Sequence, residues 1–143
     1  MDKLKKDPGS VSWGGGSAGG TDHILAALLA KKAGVPANKV NYIPFSGGGE
    51  AQAAILGGHV TVGLSGYSEF EGQIAAGKMR ALAVSSPERL PGVNVPTLKE
   101  EGYDVVLANW RCVFAPATIS KKDREAMLVM IDKMAIISKI PRG

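Results

Sequence analysis

The sequence has few of the side chains on which metal sites, disulfides and most catalytic centres depend. Cys112 is the only cysteine among 143 residues, and His23 and His59 are the only histidines. One cysteine excludes a disulfide framework, and these three ligands at unrelated spacings exclude an ordinary structural zinc site. Aromatic residues make up 6% of the chain and no basic stripe is interleaved with them, so nucleic acid is not an expected partner.

Long apolar runs are also missing. No stretch approaches the roughly 20 apolar residues that a membrane-spanning helix needs. Residues 1–9 are charged and lack the apolar segment of an export signal, and we expect them to form a solvated tail. The net charge is +4, and the excess lysines lie mainly near the two ends of the chain.

Glycine, in contrast, is abundant and clustered. The chain has 19 glycines without a collagen-like period, so they mark positions with special backbone requirements. Residues 14–20 form a glycine-rich loop between a predicted strand at Val11–Trp13 and a predicted helix, which Thr21 or Asp22 can cap. That helix carries apolar residues at helical spacing and ends near Gly34.

The same strand–loop–helix unit then repeats. A predicted strand at 40–43 leads into a second glycine-rich loop at 44–49 and a helix at 50–56. Strands that alternate with helices predict an α/β fold, here a three-layer lobe with a largely parallel sheet. The further predicted elements are strands at 60–64, 79–84, 105–108 and 111–114, and helices at 67–76, at 96–101 and from a Ser120 cap to 137.

Both glycine-rich loops are predicted at the carboxyl ends of strands and at the N-termini of helices. Ligands of parallel sheets bind at that edge of the sheet. Free N–H groups and the positive end of each helix dipole attract an anion to the same place. The arrangement therefore predicts a binding site for a small anion.

Three motif matches point to other functions but lack the context that those functions need. Residues 14–19 fit the dinucleotide fingerprint, but residues 43–45 are apolar or proline where its acidic residue belongs, so no cofactor is expected. Residues 72–78 imitate a phosphate-binding loop, but Met79 follows instead of serine or threonine. Ser17 fits a nucleophile elbow, although neither histidine has an orienting acid in the order that a hydrolase needs. A serine hydrolase using Ser17 stays open as the enzymatic alternative.

Five stretches in a fixed order carry a resemblance to a known family. They are Gly14–His23, Asn41–Glu50, Leu56–Val60, Arg80–Val84 and Asn109–Pro116. With this order and spacing the chain resembles the substrate-binding receptors of the tripartite tricarboxylate transporter family, also called TctC or Bug receptors. The resemblance runs from about Val11 to the last helix.

The resemblance implies a two-lobed, periplasmic binding protein-like receptor of type II, without cofactor and without catalysis. Residues 10–113 look like its second, ligand-binding lobe. Residues 114–143 look like the crossover and the C-terminal helix that would pack on the other lobe, which this chain lacks. The implied ligand is a small carboxylate of the tri- or dicarboxylate class, the implied partners are membrane subunits of the same transporter, and the implied location is the periplasm.

The candidate ligand contacts lie in the loops and beside the crossover. They are Ser17, Ala18, Gly19, Thr21, Asp22, Phe45, Ser46, Gly47, Gly48, Ser65, Gly66 and Arg111. Loop N–H groups and hydroxyls are expected to donate to the carboxylate, whereas Asp22 either caps the helix or pairs with an amino group of the ligand. Ser65 and Gly66 form either the floor of the site or a helix cap. Arg111 is either a bidentate carboxylate ligand or a hinge or surface charge.

The last predicted helix has an apolar face. Met127, Leu128, Ile131 and Met134 share it, and in a complete receptor it is expected to pack on the other lobe. Alone it is an exposed apolar patch, which favours association, so we expect this chain to self-associate through the helix. A truncated, oligomeric scaffold that binds nothing is the second alternative.

Overall fold

The computed structural model describes residues 1–109 and 112–137, with residues 135–137 described by their backbone alone. The chain divides into two compact units, Met1–Asn109 and Trp110–Gly143. The elements in chain order are α1 (Asp2–Lys6), β1 (Ser12–Gly15), α2 (Thr21–Lys32), β2 (Asn41–Pro44), α3 (Gly48–Leu56), β3 (Val62–Gly63), α4 (Tyr67–Ala75) and α5 (Lys121–Ile137). The predicted domain boundary between residues 113 and 114 stays a prediction.

The strands of the first unit form a three-stranded parallel sheet in the order β2-β1-β3. Trp13 lies opposite Tyr42 on one side and Val62 on the other, and Gly14 lies opposite Ile43 and Gly63. β1 is central because the first crossover, through α2, places β2 beside it, and the second, through α3, passes over β1 and places β3 on its other side. The predicted α/β class and parallel sheet are confirmed.

Helices cover both faces of this sheet. Trp13 and its neighbours across the sheet pack with the apolar side of α2, including the fully buried Ala26 and Ala30. Side chains alternate between faces along a strand, so Gly14 and Gly63 belong to the opposite face. A Cβ atom on Gly63 would overlap the side chain of Ile55 from α3, which shows that α3 lies directly against the glycines of that face. The result is the predicted three-layer arrangement.

One N-terminal side chain belongs to the core, although the charges of residues 1–9 predict a solvated tail. Leu4 of α1 is 2% exposed and joins the cluster around Trp13 and Leu29. The lysines beside it remain exposed, so the short helix places one apolar side chain inward and its charges outward. Charge density alone predicted a tail because the single leucine has no apolar neighbour in the sequence.

The segment after α4 contains less regular structure than the sequence predicts. The predicted strand at 79–84 is reduced to an isolated parallel bridge between Val84 and Thr97. The predicted helix at 96–101 is a single turn, closed by Gly102 in the left-handed region (φ 85°). Residues 105–108 make only isolated contacts, such as the Leu107 N–H to Ser85 carbonyl bond of 3.0 Å. These segments belong to the first unit, but they make too few successive backbone hydrogen bonds to form regular strands.

Helix N-termini differ from the prediction in the first unit and agree with it in the second. The N-cap of α2 is Gly20, and neither Thr21 nor Asp22 caps the helix, because Thr21 is already its first residue. In α5 the predicted cap is confirmed, since the Asp123 N–H donates to Ser120 Oγ at 3.1 Å. Capping by Ser120 satisfies one of the free donors at the start of that helix.

The apolar face of α5 is partly exposed. Leu128 is 46% and Met134 65% exposed, whereas Met127 and Ile131 are half-buried. Among the described residues no helix is both long enough and apolar enough to cross a membrane. Self-association through α5 stays a prediction.

Candidate functional site

Three loops begin at one edge of the sheet because all three strands run in the same direction. We call residues 16–20 loop 1, residues 45–47 loop 2 and residues 64–66 loop 3. The Phe45 N–H donates to the Gly15 carbonyl at 2.8 Å, and the Leu64 N–H donates to the Gly14 carbonyl at 2.8 Å. These bonds extend the ladder beyond the strands, so loops 2 and 3 start on either side of loop 1.

Each loop leads into the N-terminus of a helix that has no side-chain cap. The N-caps of α2, α3 and α4 are Gly20, Gly47 and Gly66, and all three have extended backbones. A glycine at this position leaves the first N–H groups of the helix without a side-chain acceptor. Three positive helix ends therefore point to the same edge of the sheet, an arrangement that suits an anion.

Loop 1 is held by three side chains at its base and leaves its tip exposed. Asp22 Oδ2 accepts the Gly16 N–H at 2.8 Å, and the Tyr42 hydroxyl donates to the Gly16 carbonyl at 2.8 Å. His23 Nδ1 accepts the Gly19 N–H at 3.0 Å. The tip, residues 17–19, is exposed. The Gly19 donor is thus used within the chain, whereas the described hydrogen bonds do not use the Ser17 hydroxyl or the Ser17 and Ala18 N–H groups as donors.

Tyr42 and His23 stack face to face beneath the loop. Their ring centroids are 4.3 Å apart and their planes differ by 13°. Burial, together with the nearby Asp22 carboxylate, raises the pKa of Tyr42 to about 12. The hydroxyl therefore keeps its proton, and keeps donating to Gly16, well above neutral pH.

Alkaline unfolding should reveal this shift. Between pH 10, the ordinary pKa of tyrosine, and about pH 12, Tyr42 keeps its proton in the folded chain and loses it on unfolding. Its contribution to the free energy of unfolding is therefore complete below pH 10 and is lost by pH 12. We expect the Tyr42→Phe chain to lose stability less steeply over that interval, by at most about 1.4 kcal/mol per pH unit. Urea unfolding at successive pH values measures this, and the Tyr103→Phe control should keep the steeper fall. Equal slopes in the Tyr42→Phe chain and the unchanged chain would contradict the assignment.

Loops 2 and 3 are also held by acidic residues from the first turns of the following helices. The Ser46 N–H donates to Glu50 Oε2 at 3.0 Å. The Ser65 hydroxyl donates to the Glu69 carboxylate, which lies so close to the start of α3 that a Cβ atom on Gly48 would be 2.6 Å from it. Each loop therefore has one donor already satisfied by a carboxylate of this chain.

The predicted contacts therefore fall into three groups. Ser17, Ala18 and Gly19 form the exposed tip of loop 1, with Thr21 and Asp22 at the start of α2. Phe45, Ser46 and Gly47 form loop 2, with Gly48 beginning α3, while Ser65 and Gly66 belong to loop 3. Arg111 lies outside the described residues. Which of these residues contact a ligand stays a prediction.

Sequence reasoning missed Tyr42, Glu69 and the bond that His23 makes. Tyr42 was assigned only to a strand, yet its register opposite Trp13 brings its hydroxyl to the end of β1. The acidic residue in the first turn of each helix was a usable signal, because Asp22, Glu50 and Glu69 recur at the same point of each strand–loop–helix unit.

An open cavity of about 410 Å³ lies away from these loops. Its lining residues are Pro87, Glu88, Arg89, Thr97, Lys99 and Glu100. The Arg89–Glu100 ion pair (2.9 Å) is about half exposed, and the Thr97 N–H lowers the pKa of Glu100, with Arg89 adding to the effect. Arg89 and Glu100 are paired with each other, and the cavity contains no loop residue, so we assign the site to the loops. Within the described residues no cluster of side chains has the composition of a metal site.

Comparison with known proteins places the chain in a family. The family model described as "Tripartite tricarboxylate transporter family receptor" matches residues 1–140. The chain belongs to this receptor family. Protein BugT of Bordetella pertussis is 34% identical over 118 residues, which cover 80% of this chain and 35% of that protein. The chain thus spans little more than a third of the length of this relative.

Two solved structures share the fold of this chain. A TctC solute binding protein from Polaromonas, solved with no ligand, is 31% identical and has a TM-score of 0.65 over 88% of this chain and 43% of that chain. An R. palustris protein solved with adipate is 22% identical and has a TM-score of 0.81 over 90% of this chain and 42% of that chain. The resemblance drawn from the sequence, and the periplasmic binding protein fold it implied, are confirmed.

The family assignment also bears on the enzymatic alternative. Members of this family are solute-binding receptors and not enzymes. The geometry agrees, because His23, the histidine nearest to Ser17 in the sequence, uses Nδ1 to accept the Gly19 N–H. A serine hydrolase using Ser17 has no support from either observation.

Proposed function

We propose that this chain is the part of a periplasmic solute receptor that holds one carboxylate of a small di- or tricarboxylate for a tripartite tricarboxylate-type uptake transporter. The observation that carries the proposal is the convergence of three uncapped helix N-termini at one sheet edge in a chain of the receptor family. The adipate bound to the R. palustris neighbour, which shares the fold, supports the ligand class.

The balance of charges at the edge favours loop 1 as the anchor of the carboxylate. Glu69 lies against the start of α3 and is bonded to loop 3, so an anion would be repelled there at short range. At loop 1 the only acidic side chain bonded to the loop among the described residues, Asp22, points to the Gly16 N–H at its base. The exposed tip at Ser17 and Ala18 is left for the ligand.

The free energies of these interactions indicate weak binding by this chain alone. A hydrogen bond to a charged group contributes about 1.5–3 kcal/mol, and a helix N-terminus at an exposed site about 0.3–1 kcal/mol. Two or three such bonds correspond to a Kd on the order of 1 mM. In a complete receptor, a second lobe would close on the ligand and add contacts. The membrane subunits of the transporter are the proposed partners of that closed form.

A thermal-shift series tests the proposal. We expect adipate, citrate or succinate at millimolar concentrations to raise the Tm, because binding to the native state alone adds RT ln(1 + [L]/Kd) of stability. Ala18→Asp, which places a carboxylate at the exposed tip of loop 1, should weaken binding about tenfold through like-charge repulsion. The matched control Ala37→Asp makes the same substitution at an exposed alanine before the start of β2, at the opposite edge of the sheet, and should leave binding unchanged.

Glutamate and nicotinate complete the series and rank the ligand classes. If none of the five compounds raises the Tm, the chain does not hold a carboxylate by itself and the non-binding scaffold becomes the better hypothesis. If both aspartate variants weaken binding equally, the site does not lie at loop 1.

A further inference from the structure

Three side chains form hydrogen bonds with the backbone of loop 1, and two of them, His23 and Tyr42, also stack on each other. We call Asp22, His23 and Tyr42 the loop-1 brace. Asp22 and Tyr42 hold the two polar groups of Gly16, its N–H and its carbonyl, each at 2.8 Å. His23 holds the Gly19 N–H at 3.0 Å and stacks on Tyr42. The brace therefore fixes the loop at both ends of its exposed tip.

The loop needs such a brace because its own sequence does little to order it. Residues 16–20 are three glycines, a serine and an alanine, and fixing the backbone of one residue costs about 1–2 kcal/mol in conformational entropy, with glycine losing the most. Gly19 also has φ 79°, in the left-handed region that glycine favours. Within the loop the Gly20 N–H to Ser17 carbonyl bond, 2.9 Å, closes a single turn.

Two of the brace residues, His23 and Tyr42, hold each other in place. His23 accepts the Gly19 N–H with Nδ1, so its proton must lie on Nε2. The stack on Tyr42 fixes the plane of the imidazole, and the Tyr42 hydroxyl in turn is fixed by Gly16. The bonds that these side chains make go to the backbone of the loop, so their effect on a ligand acts through the geometry of the loop.

We propose that Asp22, His23 and Tyr42 are positioning residues that pre-organise loop 1, so that the Ser17 and Ala18 N–H groups face the ligand before it binds. The inference rests on the proposed function for its effect on affinity, but its effect on the free loop can be measured separately. Pre-organisation strengthens binding because the entropy of ordering the loop is lost on folding and not on association.

The test compares two disruptive variants, one rescuing variant and two controls. His23→Leu removes the acceptor for the Gly19 N–H, and Tyr42→Phe removes the donor to Gly16 while keeping the ring. His23→Asn is the rescue, because the asparagine Oδ1 can occupy the place of the imidazole Nδ1. His59→Leu, at an exposed histidine, and Tyr103→Phe, at a tyrosine packed beside the core, are the matched controls.

Two quantities are measured, the affinity for adipate by calorimetry and the amide exchange rate of Gly19 by NMR in the ligand-free chain. We expect His23→Leu and Tyr42→Phe to weaken adipate binding about tenfold. His23→Leu should also raise the Gly19 exchange rate about tenfold. His23→Asn should restore both quantities, and the controls should leave both unchanged. Rescue by asparagine distinguishes positioning from a general loss of stability, which the ligand-free Tm reports.

The experiment distinguishes a wrong ligand class from a wrong role of the brace. If the unchanged chain does not bind adipate but His23→Leu still accelerates Gly19 exchange, the ligand class is wrong and the brace stands as the device that orders the loop. If the chain binds adipate and the disruptive variants bind it equally well, with unchanged exchange, the brace does not position the loop and the inference is overturned.

Discussion

Replacing Gly15 with alanine is expected to lower the free energy of unfolding by about 2–3 kcal/mol and to weaken carboxylate binding more than tenfold. A Cβ atom at this position would lie 2.6 Å from the Tyr42 hydroxyl oxygen, 2.8 Å from Asp22 Cβ and 3.1 Å from the Leu64 carbonyl oxygen. Overpacking of this kind costs about 1–3 kcal/mol. Two of the three neighbours belong to the loop-1 brace, so relief of the clash would also displace the brace. Urea unfolding and adipate calorimetry measure the two effects.

A second glycine and a double variant make this prediction specific. Gly47→Ala should cost little, because its backbone is extended and no heavy atom lies within 4 Å of the new Cβ atom. Adding Tyr42→Phe to Gly15→Ala removes the nearest clashing atom and should recover part of the lost stability without recovering binding. If Gly15→Ala and Gly47→Ala unfold at the same urea concentration, the packing of Tyr42 against the end of β1 is wrong.

The sequence predicted the position of the glycine-rich loops better than the interactions within them. Two glycine-rich loops, each between a strand and a helix, are enough to place both at one edge once the sheet is parallel. The bonds of Tyr42 and His23 could not be predicted in the same way. They depend on the register of β2 against β1, which the hydrophobic pattern of two four-residue strands does not fix to one residue.

Dependence on contacts between distant parts of the sequence also explains the wrong predictions outside the site. An apolar run such as residues 79–84 predicts a strand, but a strand exists only when a neighbour supplies successive bonds, and here the pairing ends after one bridge. Leu4 was predicted to be in a tail because its burial depends on a core built by Trp13 and Leu29, which are distant in the sequence. Local pattern therefore gave the order of the elements, and long-range packing decided which of them became regular.

The acidic residues of the first helical turns connect folding with function. Asp22, Glu50 and Glu69 each lie in the first turn of a helix, where a negative charge stabilises the dipole. Each also accepts a hydrogen bond from the loop before its helix. Without a ligand, one hydrogen-bond donor of each loop is therefore already satisfied by a carboxylate, which helps to order the loop. A ligand can bind only the donors that these carboxylates do not reach.

Trp13→Ala is expected to destabilise the chain by about 3–5 kcal/mol, the range for truncating a large buried aromatic residue. Trp13 is 4% exposed at the centre of the sheet, where α2 packs on it through small residues such as Ala26 and Ala30 that cannot fill the space left behind. Trp13→Phe should cost clearly less, because it keeps most of the ring. It also removes the indole N–H, a buried donor for which the described residues provide no acceptor.

Urea unfolding of the two Trp13 variants, with Leu82→Ala as the control, decides this prediction. Leu82 is 59% exposed, so its truncation should change stability by less than about 0.5 kcal/mol. Trp13 lies in β1, the strand that leads into loop 1, but it is not one of the predicted ligand contacts. Trp13→Phe should therefore retain adipate binding as long as β1 keeps its register. A phenylalanine variant as unstable as the alanine variant would contradict the prediction, because a ring that fills most of the space of the indole would then contribute no stability.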